Sequence, residues 1–201
     1  MAWHDSTIGA HYSYGSTEAT DNAWEIYNYF RGLSPQWAIE SISAICGNAQ
    51  LESVMNPAIR DSNQSGAFGL WQWISNKTNM INWANGHGLR PTSGPAQVQY
   101  LDQERQGIDT QWLGRGQYSG ITFTNFATNS MGYTVAQLSH CFWACFERSR
   151  EYQTDRTRWS VGYYEIFTGS PPPGPTPGNV PAWLLYKFKG GNTHGYSTIL
   201  L

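Results

Sequence analysis

The clearest helical pattern of apolar residues in the chain follows Ser34-Pro35. Its apolar positions recur at steps of three and four residues: Ala38, Ile39, Ile42, Ile45, Cys46 and Ala49. Ser34 can cap this helix, Pro35 suits its first turn, and Asn56-Pro57 ends it. The pattern predicts a helix that is buried on one side and that carries Glu52 in its last turn.

Five other segments carry the same periodicity and predict a mainly helical fold. These predicted helices cover about residues 20–31, 76–85, 95–112, 134–146 and 155–167. Thr134 and Gln137 form a capping-box pattern at the start of one of them. The short aromatic stretch 68–74 predicts a small strand or extended segment. The expected fold class is therefore mainly α, or α+β with one small β element near residues 67–74.

Changes in composition along the chain predict four parts. Residues 1–19 lack a clear periodicity and are expected to form an irregular arm, whereas residues 20–169 carry the helical domain. Residues 170–179 are a Pro/Gly linker that should be extended and semi-rigid. Residues 180–201 are too few to bury a core alone, so they are expected to form a tail or the start of a further segment.

Charge and targeting signals argue against several classes of protein. The net charge is −2 and only 13% of residues are charged, so binding to nucleic acid or to a membrane is not expected. The first residues show no signal-peptide pattern, and no stretch reaches the ~20 apolar residues of a membrane span. The excess is aromatic, with 10 Trp and 12 Tyr, which suit polar ring-shaped ligands as well as packing. No cofactor is implied.

The three cysteines predict neither a disulfide framework nor a metal centre. His140, Cys141 and Cys145 have side chains that can bind a metal, but the cysteines lie one helical turn apart among aromatic residues, which favours packing. A cysteine amidase that uses Cys46 is the least favoured activity. Cys46 lies on the predicted buried stripe, and no His motif pairs with it.

Glu52 is the candidate for acid chemistry. A protonated glutamate can donate its proton to a glycosidic oxygen as the sugar–oxygen bond breaks. Apolar neighbours such as Leu51 and Trp73 would favour the protonated form of Glu52. The alternative role of Glu52 is that of an ordinary solvated glutamate at a helix end.

A second carboxylate is needed if the enzyme is an inverting hydrolase. Asp61, in the polar loop that follows the Glu52 helix, is the candidate for this base. Glu104 and Glu147 are interpreted instead as structural partners of Arg105, Arg148 or Arg150.

Residues 66–73 are the candidate sugar-binding segment. Gly66 and Gly69 permit a close approach of the backbone to a ligand, Gln72 can donate and accept hydrogen bonds, and Trp71 or Trp73 can stack on a sugar. Alternate residues of an extended segment share a face. Trp71 and Trp73 are therefore expected to point the same way, with Gln72 opposed.

Three motifs lie close together around Glu52. Glu52-Ser-x-x-Asn-Pro57 is preceded by Gly47-Asn-x-Gln50 and followed by Gly66-x-x-Gly-Leu-x-Gln-Trp73. These motifs resemble those of the phage tail lysozyme family, which is itself similar to goose-type lysozymes and lytic transglycosylases. The resemblance covers roughly residues 20–168 and implies a lysozyme-like fold with Glu52 as the catalytic acid. The substrate-binding candidates are Gln50, Gly66, Phe68, Gln72 and Trp73.

What the resemblance implies is cleavage of the N-acetylmuramic acid to N-acetylglucosamine bond of bacterial peptidoglycan. The leading hypothesis is a muramidase of a bacteriophage tail, located in the virion and acting at the host cell wall, with other tail proteins as further partners. A lytic transglycosylase is the first alternative, because related transglycosylases need only one Glu. A rival from another class is a structural virion protein that keeps the groove only for binding glycan or a neighbouring subunit.

Overall fold

The fold is mainly helical, as the apolar periodicity predicts. The structure is a computed structural model, and it describes residues 2–5, 9–59 and 66–170. Its α-helices are α1 (Thr17–Arg31), α2 (Ile39–Ser53), α3 (Lys77–Gly86), α4 (Gly94–Arg105), α5 (Phe123–Thr128), α6 (Val135–Phe142) and α7 (Asp155–Thr168). A 3₁₀ turn (Gly116–Tyr118) precedes α5, and a π-helical turn (Trp143–Glu147) continues α6. This confirms a mainly α, lysozyme-like fold.

Helix α2 is the central element and packs against α1, α5, α6 and α7. The prediction that it is buried on one side is wrong, because its polar residues Ser41, Asn48 and Gln50 are buried as well. Each of them has a hydrogen-bond partner that removes the penalty of burial. The helix begins at Ile39, where the Ala38 N–H donates to the carbonyl of Ala127 (2.8 Å).

Helix ends follow their capping residues closely. Helix α1 begins earlier than predicted because the Ser16 side chain caps it by accepting from the Ala19 N–H (3.2 Å). The capping box at Thr134 and the end of α7 at Gly169, which has a positive φ of 68°, confirm the prediction. Helix α4 ends at Arg105, so the predicted extension to residue 112 is wrong.

The segment 66–73 forms a tight turn in place of the predicted strand. One isolated antiparallel bridge joins Phe68 to Trp73, whose N–H donates to the Phe68 carbonyl (2.9 Å). Gln72 has a left-handed backbone (φ 44°), which reverses the chain between the two ends of the bridge. Trp71 and Trp73 do turn to the same side, and that side is the core.

The described part of the arm, residues 2–5 and 9–16, packs on the helical domain. The carbonyls of Ala10 and Tyr12 accept hydrogen bonds from the Asn56 (2.7 Å) and Gln50 (3.0 Å) side-chain amides. The Trp3 ring lies so close to Gly94 that a Cβ there would overlap it. The predicted linker beyond residue 170 and the tail lie outside the described residues. In the described ranges, every helix is too short or too polar to span a bilayer.

Candidate active site

Gly47 and Asn48, at the start of the first motif, bring α2 and α7 into close contact. A Cβ on Gly47 would lie 2.7 Å from the carbonyl oxygen of Arg156 and nearer still to Ser160, so only glycine permits this approach. The side-chain oxygen of Asn48 accepts from Arg156 Nη1 (2.8 Å), and its amide nitrogen donates to the Ser139 carbonyl (3.2 Å). The motif thus places Arg156 beside the last turns of α2.

Gln50 has a different role from the predicted one. It is buried, its Oε1 accepts from the hydroxyl of Tyr163 (2.7 Å) and its Nε2 donates to the carbonyl of Tyr12 (3.0 Å). Both ends of the amide are therefore used inside the protein. Its contribution is to hold α2 between α7 and the arm, rather than to contact a substrate directly.

Glu52 lies in the last turn of α2, as predicted, with 19% of its side chain exposed. Arg156 Nη2 donates a hydrogen bond to Glu52 Oε1. Arg156 Nη1 also lies 3.5 Å from Glu147 Oε2, and only 2% of the Arg156 side chain and 3% of the Glu147 side chain are exposed. A largely buried cation is thus shared by two carboxyl groups. We call Glu52, Glu147 and Arg156 the acid cluster.

Glu147 lies at the end of the π-helical turn and is the second carboxyl group near Glu52 among the described residues. Burial raises the pKa of Glu147 well above its ordinary value, and the negative charge of Glu52 raises it further. The positive charge of Arg156 lowers it and offsets only part of these effects. Glu147 therefore favours the protonated, neutral form.

Glu52 and Arg156 line an open pocket with a volume of about 460 Å³. The remaining lining residues are Leu51, Ser149, Arg150, Glu151 and Gln153. Most of these side chains carry hydrogen-bond donors or acceptors. The pocket is therefore suited to a polar ligand that places a reacting oxygen near Glu52.

The predicted sugar contacts of Trp73 and Phe68 do not fit the structure. Trp73 is fully buried and 2% of Phe68 is exposed, so neither ring has a face for a sugar. Trp73 Nε1 donates to Glu104 Oε2 (3.0 Å), and its ring packs edge-on against Phe146 (6.4 Å between centroids). Phe146 is the residue before Glu147, so Trp73 packs against the turn that carries Glu147.

The glycines and Gln72 of this segment also have internal partners. The Gly66 carbonyl accepts from Lys77 Nζ (2.8 Å), and Gly69, with a φ of 77°, lies against the side chain of Gln97. Gln72 is only half-buried, but its Nε2 donates to the Gly69 carbonyl (2.8 Å). The polar atoms of the segment are thus bonded within the turn and to α3 and α4. The turn is thus mainly a packed support.

The predicted partners of Glu104 and Glu147 are wrong, whereas the prediction for Asp61 is untested. Asp61 lies outside the described residues. Glu147 is near Arg156 instead of pairing with Arg148 or Arg150, and Arg105 pairs with Asp102 (2.6 Å) rather than with Glu104. Sequence reasoning missed Arg156, although a signal exists. Ser160, Tyr163 and Phe167 follow it at helical spacing and are buried, so Arg156 lies on a buried stripe and needs a charged partner.

The sulfur chemistry considered from the sequence has no support in the geometry. Cys46 is fully buried, and burial raises the pKa of its thiol, so the nucleophilic thiolate is disfavoured. Cys141 and Cys145 are buried free thiols, and the ring Nδ1 of His140 lies 3.0 Å from the Tyr118 hydroxyl. Across the described residues, His, Cys, Asp and Glu form no metal-binding group of three.

Glu104 supplies a pH-dependent contribution to stability. Its carboxylate accepts from Trp73, from Asn76 Nδ2 (2.7 Å) and from the Gln111 N–H (3.2 Å), yet burial outweighs these bonds and raises its pKa to about 7. The folded state therefore binds a proton that the unfolded state has lost between the ordinary carboxyl pKa of 4.5 and about 7. This contribution is complete at low pH and is lost as the pH rises through about 7.

Glu104→Gln is expected to remove this dependence. The free energy of unfolding of the wild type, measured relative to the variant, should fall by roughly 3 kcal/mol between pH 4 and 8. Denaturant unfolding of both proteins across this range measures the difference, in which the other titrating groups largely cancel. A difference that stays constant with pH would contradict this account of Glu104.

A mainly helical domain in which a glutamate at a helix end lines an open polar pocket has the features of a lysozyme-like protein. The model of the phage tail lysozyme family matches residues 21–167, and the chain belongs to this family. Membership supports a glycosidase or a transglycosylase in general.

A curated relative extends the comparison. Morphogenesis protein 1 of Bacillus phage B103 is 28% identical to this chain over 180 residues, which cover 87% of this chain and 47% of the relative. The chain therefore spans about half the length of the curated relative that it matches.

Proposed function

We propose that this protein is a peptidoglycan muramidase of a bacteriophage tail, with Glu52 as the general acid. The observation that carries the proposal is the position of Glu52. It is the partly exposed member of the acid cluster, and its carboxyl group lines the pocket at the end of the central helix. Family membership supplies the reaction class, and the pocket supplies a polar surface for the acetamido and hydroxyl groups of a glycan.

In the proposed reaction, Glu52 donates its proton to the glycosidic oxygen as the bond from that oxygen to the sugar C1 breaks. The guanidinium of Arg156 then stabilises the Glu52 carboxylate that remains. Glu147 is too deeply buried to activate a water molecule at the sugar. Asp61 stays our proposed base for that step, from its place in the sequence between the two motifs.

The products decide between hydrolysis and transglycosylation. Purified protein is incubated with insoluble peptidoglycan, and the released fragments are reduced and identified by mass spectrometry. A muramidase gives N-acetylmuramic acid with a reducing end, which supports the proposal. Anhydro-muramic ends would replace the muramidase with a transglycosylase, in which no base such as Asp61 is required.

A structural role is the second candidate function, and the name of the relative, a phage morphogenesis protein, favours it. In that case the protein would be a virion component that retains the pocket only to bind glycan or another tail protein. Sedimentation with insoluble peptidoglycan in the absence of released fragments would support this candidate. The same result would overturn the muramidase.

A further inference from the structure

The acid cluster contains two carboxyl groups but only one cation, Arg156. Arg156 alone would neutralise Glu52, yet Glu147 also lies against the same guanidinium. Glu147 Oε1 is buried without a hydrogen-bond partner, as is Arg156 Nε. Buried polar atoms without partners are unfavourable, so such a cluster is not explained by stability alone.

A proton on Glu147 accounts for the extra carboxyl group, although Arg156 Nε keeps no partner. It removes the second negative charge, and it turns a buried carboxylate into a donor that can hydrogen-bond to Glu52, which lies within reach of it. With Glu147 protonated, the two carboxyl groups carry one negative charge between them, which matches the single positive charge of Arg156. Glu147 is the interior member of this pair, because its side chain is far less exposed than that of Glu52.

We propose that Glu147 and Arg156 are positioning residues that make Glu52 share one proton with Glu147. The buried Glu147 then keeps a proton available to Glu52. The inference rests on the proposed function and deepens it. Arg156 fixes the two carboxyl groups, Glu147 holds the proton away from water, and Glu52 delivers it.

The pair gives up one proton and regains one proton in each reaction cycle. Glu52 gives the shared proton to the glycosidic oxygen, the bond to C1 breaks, and both carboxylates then face Arg156. A water molecule, or the C6 hydroxyl of the sugar in a transglycosylase, adds its oxygen to C1 and releases one proton. In a transglycosylase Glu52 can take that proton back directly. In the hydrolase the proposed base Asp61 takes it and passes it to solvent, and Glu52, the member of the pair that reaches the pocket, takes one proton from solvent.

Among the residues that the structure describes, few other charged groups face this pair. Glu52 reaches it from α2, Arg156 from α7 and Glu147 from the π-helical turn. Tyr152 adds a neutral hydroxyl that also bonds Ser139 Oγ (3.1 Å). Arg150 and Glu151, at the pocket, carry opposite charges whose effects on the pair oppose each other.

The test is the pH dependence of cleavage in Glu147→Gln. Removing the second carboxyl group leaves Glu52 with only the cation, so the pH at which activity falls on the basic side should move down by about one unit or more. This fall in activity at high pH is the basic limb of the pH profile. Arg156→Lys keeps the positive charge and should leave the basic limb near its original pH. Glu165→Gln, at an exposed carboxylate of α7, is the matched control and should also leave the limb in place.

A purely structural role predicts a lower rate for Glu147→Gln at every pH with an unmoved basic limb, and that result would overturn the proposal. Thermal unfolding of each variant shows whether the fold is intact. Carboxyl ¹³C NMR of glutamate-labelled protein tests the pair without substrate. Glu104 is expected to give one resonance that titrates near pH 7 in every variant. A second resonance that titrates above the usual carboxyl range should vanish in Glu147→Gln and move to lower pH in Glu52→Gln.

The two measurements separate the two proposals. An NMR titration that shows the shared proton, in a protein that releases no fragments from peptidoglycan, refutes the proposed function and retains the pair. Cleavage with independent titration of the two carboxyl groups retains the function and refutes the pair.

Discussion

Glu52→Gln is expected to reduce the release of peptidoglycan fragments about 100- to 10,000-fold, the range over which a general acid contributes to catalysis. Glutamine has nearly the same shape, and its carbonyl oxygen can still accept from Arg156, but it has no proton to donate. The measurement is the initial rate of fragment release at the optimal pH. Glu40→Gln, at the other end of α2, is the matched control and should retain the wild-type rate.

The stability of Glu52→Gln must accompany its rate. Because Glu52 is partly exposed and Gln keeps one bond to Arg156, the variant should unfold near the wild-type temperature. A folded Glu52→Gln protein with the rate of the wild type would remove Glu52 from the reaction. The search for the acid would then move to the other side chains of the pocket.

Gly47→Ala is expected to lower the free energy of unfolding by roughly 3 kcal/mol, the upper part of the range for overpacked sites. The new methyl group would overlap Ser160 and the Arg156 carbonyl, and both include backbone atoms of α7. Helix α7 must therefore shift away from α2. Since Arg156 lies on that part of α7, the shift should also separate Arg156 from Glu52 and lower the cleavage rate.

Gly86→Ala is the matched control for this substitution. Gly86 is the last residue of α3, and a Cβ there would meet nothing within 4 Å. Alanine is the better helix former, so the variant should be unchanged or up to about 1 kcal/mol more stable. Denaturant unfolding compares the two. Equal small effects in both variants would show that the contact between α2 and α7 tolerates a methyl group.

The sequence predicts this fold best where the determinants are local. The capping residues Thr134 and Gly169 mark their helix ends correctly, and apolar periodicity places Glu52 in the last turn of α2. Such signals lie within a few residues of the feature that they specify. The extra length predicted for α4 arose because Ile108 and Trp112 continue the apolar spacing after the helix has ended.

The acid cluster could not be predicted in the same way. Arg156 follows Glu52 in the sequence by more than one hundred residues, and only the packing of α7 on α2 joins them. The residues next to Glu52 in the sequence, Leu51 and Ser53, are uncharged, whereas its neighbourhood in space includes the guanidinium of Arg156. Trp73 was misplaced for the opposite reason, since an aromatic residue near glycines has the same pattern in a core turn as in an open groove.

The contacts of the arm determine how the lysozyme-like region can be isolated. The family match begins at residue 21, but the carbonyls that accept from Gln50 and Asn56 belong to Tyr12 and Ala10. A fragment trimmed to the family boundary would leave these amides without their acceptors at the end of the helix that carries Glu52. The folded unit that carries Glu52 therefore starts before the region that the family model matches, and a recombinant fragment should include the arm.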